Sequence, residues 1–176
     1  MDFKQNHFEL FGFPTGFRID SASLELAYRR IQTQVHPDRF AHRGETEKRL
    51  SMQWTTHVNE AYQTLKSPLP RARYLLQLRG IDALSEAGRA MPAAFLMQQM
   101  EWRDAIAVAR SGRNRQALDE LIKAVRSEVR RMEIELAPLL DDAKDDEAAV
   151  LSVRKLKFLY KLIEEIGDAQ EELEVA

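Results

Sequence analysis

Apolar residues recur along this chain at spacings of three and four, with no run of sustained alternation, so the pattern predicts helices throughout and no sheet. A short helix is expected over Gln5 to Leu10, closed by a turn from Gly12 to Gly16. A second comes after the cap candidates Asp20 or Ser21 and carries Leu24, Ala27, Tyr28, Ile31 and Val35 on one face. It must stop near His36, because a residue that precedes proline disfavours the α region. A third runs from about Glu45 to Leu65, with Leu50, Trp54, Val58, Ala61, Tyr62 and Leu65 as its stripe. Two amphipathic helices joined by a loop of about nine residues can pack antiparallel as a hairpin. The sequence His36-Pro37-Asp38 then falls at the hairpin tip.

Beyond the hairpin, Pro68 and Pro70 restart a helix whose Tyr74, Leu75 and Leu78 are expected to form a seam with the C-terminal helices. The C-terminal half reads as a three-helix bundle. Ala117 to Leu140 carries the stripe Leu118, Leu121, Ile122, Val125, Val129, Met132, Leu136, Leu139 and Leu140, and the last helix carries Leu156, Leu159, Ile163 and Ile166. The helix at about Pro92 to Arg110 has two apolar faces. Phe95, Trp102, Ile106 and Ala109 cluster on one side, and Leu96, Met97 and Met100 on the other. One face can enter a core; the other calls for a partner or for packing on the N-terminal half. The acidic run DDAKDDE, residues 141–147, is expected to be a solvated loop between helices.

Composition narrows the function. At 176 residues and 44% apolar the chain can bury one sizeable core or two small ones. It has no cysteine, which removes disulfides and any iron-sulfur cluster held by its own thiolates. No segment reaches the roughly 18 uncharged apolar residues of a membrane span and the start lacks a signal-peptide pattern, so a soluble cytoplasmic protein is the expectation. Net charge is −2, divided unevenly: residues 1–75 hold 11 Lys+Arg against 8 Asp+Glu, and residues 76–176 hold 15 against 20. This split is too mild for a nucleic-acid footprint but fits a basic patch that docks on an acidic partner. His7, His36, His42 and His57 have no regular metal-ligand spacing, so no metal site is expected. No nucleophile with its base and no phosphate-cradling glycine loop is visible, so neither catalysis nor a cofactor is expected.

The tripeptide admits two readings. In the plainer one His36 ends a helix, Pro37 blocks its continuation and Asp38 starts a turn. In the other, Pro37 stiffens an exposed tip on which the Asp38 carboxylate can accept paired hydrogen bonds from an arginine, and His36 adds a donor and an acceptor at a set angle. Arg29 and Arg30, off the apolar stripe, and Arg39, directly after the tripeptide, supply positive charge toward an acidic partner.

His-Pro-Asp between a basic amphipathic helix and a second long helix resembles the J domain of DnaJ-type co-chaperones. The Gly/Phe-rich linker and CxxC repeats of general DnaJ proteins are missing. With SPLPRARYLLQLRG at 67–80, AFLMQQMEWRD at 94–104 and VRKLKFLYKL at 153–162, nearly the whole chain resembles HscB, the iron-sulfur co-chaperone of bacteria. The resemblance implies a J domain over 1–75, a connecting segment over 76–91 and a client-binding bundle over 92–176. It further implies that His36, Pro37, Asp38, Arg29, Arg30 and Arg39 engage the DnaK-type chaperone HscA and stimulate its ATPase. Leu96, Met97, Met100, Glu101 and Asp104, with Phe158 beside them, match the surface on which the scaffold IscU docks. Gln98, Gln99 and Val108 stand where the family often has further carboxylates, which reduces the acidic rim. A J protein for another client and an all-helical nucleic-acid binder are the alternatives; the acidic C-terminal half speaks against the second.

Overall fold

The computed structural model describes residues 2–40, 42, 44–85 and 91–175. Helices account for the regular structure among them: α1 His7–Phe11, α2 Ser21–Val35, α3 Glu45–Lys66, α4 Pro68–Leu78, α5 Ala93–Ser111, α6 Arg115–Ala137 and α7 Asp146–Val175. Local chemistry sets most of their ends. Asn6 Oδ1 accepts from the backbone N–H of Phe8 and Glu9, and Glu9 Oε2 accepts from Asn6 N–H at 2.9 Å. This reciprocal cap starts α1 at His7 rather than Gln5. Gly12 closes it at φ 78°, a left-handed conformation that suits glycine. Asp20 caps α2 through Ser23 N–H at 2.8 Å, and Pro37 prevents the helix from passing His36. Pro68 and Pro70 sit in the first turn of α4, where a missing N–H costs nothing.

α2 and α3 pack antiparallel. Tyr28 stacks on Tyr62 with centroids 4.1 Å apart and donates to Asn59 Oδ1, while at the other end Val35 meets Ser51 and Thr55. Two expected seam residues lie elsewhere: Leu50 is exposed and Ser51 takes the inward position, and Leu78 is exposed while Leu76 is fully buried beside Leu75. The rest of the α3 stripe, Trp54, Val58, Ala61, Tyr62 and Leu65, is buried as expected, and only an end residue of each stripe departs, because a narrow contact between crossing helices selects part of a broad apolar face. In the C-terminal half α6 and α7 form the principal contact and α5 lies across both. Leu118, Ile122, Val125, Val129, Met132, Leu136 and Leu140 line the α6 side as expected, whereas Leu121 and Leu139 are only half-buried.

α4 joins the halves by packing on α3 at one side and on α7 and α6 at the other, so the buried apolar residues form one continuous cluster from Phe8 to Ala169. The run 141–147 is solvated over most of its length, as expected of a connection between helices, but it is not a plain loop and Asp141 and Asp146 are partly buried. After Pro138 the chain makes one wide π turn over Pro138–Ala143 that buries Leu140 and aims Asp141 at the N-terminal half. Asp141 Oδ1 and Oδ2 accept from the backbone N–H of Phe17 at 2.6 Å and of Arg18 at 3.0 Å. The Arg18 guanidinium donates to both carboxylate oxygens of Asp142, and Arg79 binds Asp146 and the Leu140 carbonyl. Arg71, buried, lies 4.8 Å over the Phe17 ring and donates to the Leu65 carbonyl at 2.6 Å. Burial draws its guanidinium below the ordinary arginine range, against the pull of Asp141 and Glu133. Asp141, Asp142 and Asp146 therefore serve as anchors that reach across the molecule. Part of the segment expected to connect the halves, residues 86–90, lies outside the described residues.

Candidate functional site: the hairpin tip and the outer face of α5

The tip is a short 3-10 turn, Pro37–Phe40, held from below. A helix that ends in His-Pro has last-turn carbonyls without intrahelical partners. Two of them are met by side chains: Ser51 Oγ on α3 donates to the Val35 carbonyl at 2.6 Å, with Thr55 Oγ1 3.2 Å from the same oxygen and shared with the Ser51 carbonyl, and the Arg39 guanidinium donates to the Thr33 carbonyl at 3.1 Å. The backbone of the tripeptide is thereby fixed while its side chains stay open, with the Asp38 side chain 91% exposed and His36 49% exposed. Asp38 N–H donates to His36 Nδ1 at 3.3 Å and the Asp38 carboxylate lies 3.5 Å from the same nitrogen, so imidazole and carboxylate stand side by side on the tip.

Of the six residues expected at this end, His36, Pro37 and Asp38 stand together on the tip. Arg39 is turned back onto α2 and serves first as a cap. Arg29 and Arg30 lie exposed on the outer face of α2, Arg29 in an ion pair with Glu25 at 2.5 Å. Leu26, 70% exposed and outside the apolar stripe, sits one turn before them, and its offset of three and four residues from the arginines places it on their face.

At the other end α5 divides as its pattern predicts. Phe95, Ile106 and Ala109 are buried and Trp102 is half-buried, whereas Leu96, Met97 and Met100 are 46%, 64% and 67% exposed. Glu101 and Asp104 are exposed on the same outer half of the helix, and Val108 adds another bare apolar side chain there. Phe158 of α7 is half-buried, edge-on to Phe95 at 5.8 Å and stacked with Trp102 at 6.3 Å between centroids, so it anchors the rim of this face rather than projecting from it. Methionine and leucine bared in a row provide a surface that adapts to a partner's shape. Among the described residues no three His, Asp or Glu side chains are placed to hold a metal ion, and no helix is long and apolar enough to cross a membrane.

Known proteins give this arrangement a context. Residues 91–167 match the family described as the HSCB C-terminal oligomerisation domain. The chain is 51% identical over 171 residues, 97% of each chain, to a co-chaperone protein HscB homolog of Burkholderia multivorans. Its fold superposes on the chaperone HscB from Vibrio cholerae with a TM-score of 0.83 at 35% identity, covering 96% of this chain and 99% of that one. It superposes on the human co-chaperone protein HscB with a TM-score of 0.87 at 31% identity, covering 95% and 83%. An all-helical fold with a J-like N-terminal region and a C-terminal helical domain is the architecture of the co-chaperones that the chain matches, and these are not themselves enzymes. Within that class, the chain belongs to the HscB family of iron-sulfur assembly co-chaperones.

Proposed function

We propose that residues 1–75 act as a J domain that stimulates the ATPase of the DnaK-type chaperone HscA, and that residues 92–176 bind the scaffold IscU and deliver it to that chaperone in the cytoplasm. The observation that carries the reading is the tip: His36, Pro37 and Asp38 on a backbone locked by Ser51, Thr55 and Arg39, with their polar groups facing out. His36 and Asp38 stay exposed, and an imidazole beside a solvent-facing carboxylate suits capture by an arginine-bearing pocket. The arginines on α2 supply charge that steers the encounter. On the second half, the exposed row on α5 supplies apolar area and its carboxylates supply orientation.

The test is ATP hydrolysis by HscA with wild type, His36→Gln or Asp38→Asn. Removing one partner of a desolvated charge pair costs about 2–5 kcal/mol, so either variant should lose stimulation while its helical melt stays unchanged. Stimulation at the wild-type level by either would end the J-domain reading of the tip. A chain that stimulates HscA but does not bind IscU in calorimetry would instead serve another client.

A further inference from the structure

Beside the exposed row, α5 and α7 meet in an aromatic corner made of Phe95, Trp102 and Phe158. Two cations stand on it. The Arg103 guanidinium lies 5.4 Å from the centroid of Phe158, and the Lys155 ammonium lies 5.3 Å from the centroid of Phe95. Neither makes an ion pair among the described residues, whereas Arg110, two turns on along α5, is bound to Glu172. A cation over a ring is held in place by the negative face of the π system, yet its outward hydrogens remain free for a second partner. The helical turn of α5, about 100° per residue, lays its exposed half out in bands. Arg103 lies next to α7, Leu96 and Met100 come after it, then Asp104 and Met97, and Glu101 lies farthest round. The face is thus polarised across its width: the cations stand on the α7 edge, Leu96 and Met100 come next, and both carboxylates lie on the side away from α7, with Met97 between Asp104 and Glu101.

We infer that Arg103 and Lys155 set the orientation of the protein that docks on α5, by pairing with carboxylates that border its apolar contact on the side toward α7. The inference rests on the reading of α5 as the client-binding face and adds to it which chemistry the client must present, and where. A client turned end for end across the face would bring its carboxylates against Glu101 and Asp104, and like charges brought together on docking are strongly disfavoured. Charge complementarity also selects the kind of occupant. A nucleic acid could use the two cations, but its phosphates would meet the carboxylate edge and would leave the apolar row uncovered. A second copy of this chain is a poor match, because much of its densest run of carboxylates is already taken: Asp141 and Asp142 by the Phe17–Arg18 turn and Asp146 by Arg79.

The experiment is calorimetric titration of the 176-residue protein with purified IscU at low and at moderate salt. It compares wild type, Arg103→Gln, Lys155→Gln, the double reversal Arg103→Glu with Lys155→Glu, Arg103→Lys, and the triple Leu96→Ala, Met97→Ala, Met100→Ala. The double reversal is expected to weaken binding at least about tenfold and to flatten its salt dependence, while Arg103→Lys stays within about twofold of wild type. The Gln variants keep a long stem and are expected to melt as wild type does, each with an intermediate loss of affinity. Wild-type binding by the double reversal, with loss in the triple variant, would overturn the role of the cations and leave the docking face standing. Wild-type binding by the triple variant would overturn the docking face and the inference together. Lower melting of the Gln variants with unaltered salt dependence would show that the cations merely brace the corner. Retention of a single-stranded RNA probe, or dimerisation in sedimentation, that the double reversal abolishes while IscU binding is unchanged would assign the charges to a different occupant and overturn the inference.

Discussion

His36 is presented and not merely exposed. The proline after it ends α2, and two of the carbonyls that this ending orphans, those of Thr33 and Val35, are taken up by Arg39, Ser51 and Thr55, so the ring stands on a braced backbone. A second histidine shows the opposite use of the same side chain. His7 stacks on Tyr74 with centroids 4.2 Å apart, and the Tyr74 hydroxyl accepts from His7 N–H. Burial first, and then the neighbouring His57, hold its imidazole below the ordinary range, while Glu60 pulls the other way. A native state with a depressed imidazole binds fewer protons than the unfolded chain, so this contribution to stability is complete above the ordinary value of about 6.5 and is lost as the pH falls through the depressed native one. Replacing His7 by Phe keeps the ring stack and removes the titration. Between about pH 7.5 and about pH 5.5 the melting temperature of wild type should therefore fall further than that of His7→Phe; equal slopes would show that His7 plays no part. The two histidines also differ in legibility. His36 announces itself through contiguous neighbours, whereas nothing within a few residues of His7 points to Tyr74, 67 positions away.

At the scale of the element, α5 carries an instruction on each face. Phe95, Ile106 and Ala109 bind it to the bundle, and the row Leu96, Met97, Met100 remains in solvent. Exposed side chains contribute little to stability, so replacing that row by Ala should change folding by less than about 0.5 kcal/mol per site, read from the denaturant midpoint. IscU binding, read by calorimetry, should collapse, because each apolar side chain buried on docking is worth about 1.5–3 kcal/mol. A steep loss of stability would instead make the row part of a core. This division was legible from a helical wheel, because the two faces lie on opposite sides of one helix. On α3 and α4 the same arithmetic holds except at one end residue each, Leu50 and Leu78. Leu50 and Ser51 border one stripe, and only the fit against α2 decides that the serine turns inward to cap Val35. The outer face of α5 can be read without its neighbours; a seam is a property of two helices, and the sequence of one does not contain it.

For the whole molecule the decisive contact is the least legible. Asp141 lies in a run that local composition marks as solvated, yet it receives the backbone N–H groups of Phe17 and Arg18 and retains only 17% of its side-chain exposure. No periodicity links positions 124 residues apart. Replacing Asp141 by Asn removes the charge and one of the two acceptors, leaving a buried donor poorly matched. The expected loss is about 1–3 kcal/mol of global stability, measured from the denaturant midpoint, with stimulation by the tip retained at temperatures where the fold persists. An unchanged midpoint would show that the clasp is incidental to the fold.

That clasp also imposes an order on synthesis. The turn at Gly16–Arg18 leaves the ribosome 124 residues ahead of the carboxylate that ties it down. At about 5–20 residues per second the wait is roughly 6 to 25 s, far longer than helices and loops need to form. The N-terminal hairpin thus has time to assemble with one edge still untethered, and the nascent chain joins its two halves only when the π turn after α6 is made. A stalled or truncated chain that ends before Pro138 would carry a finished tip on a molecule that cannot be closed.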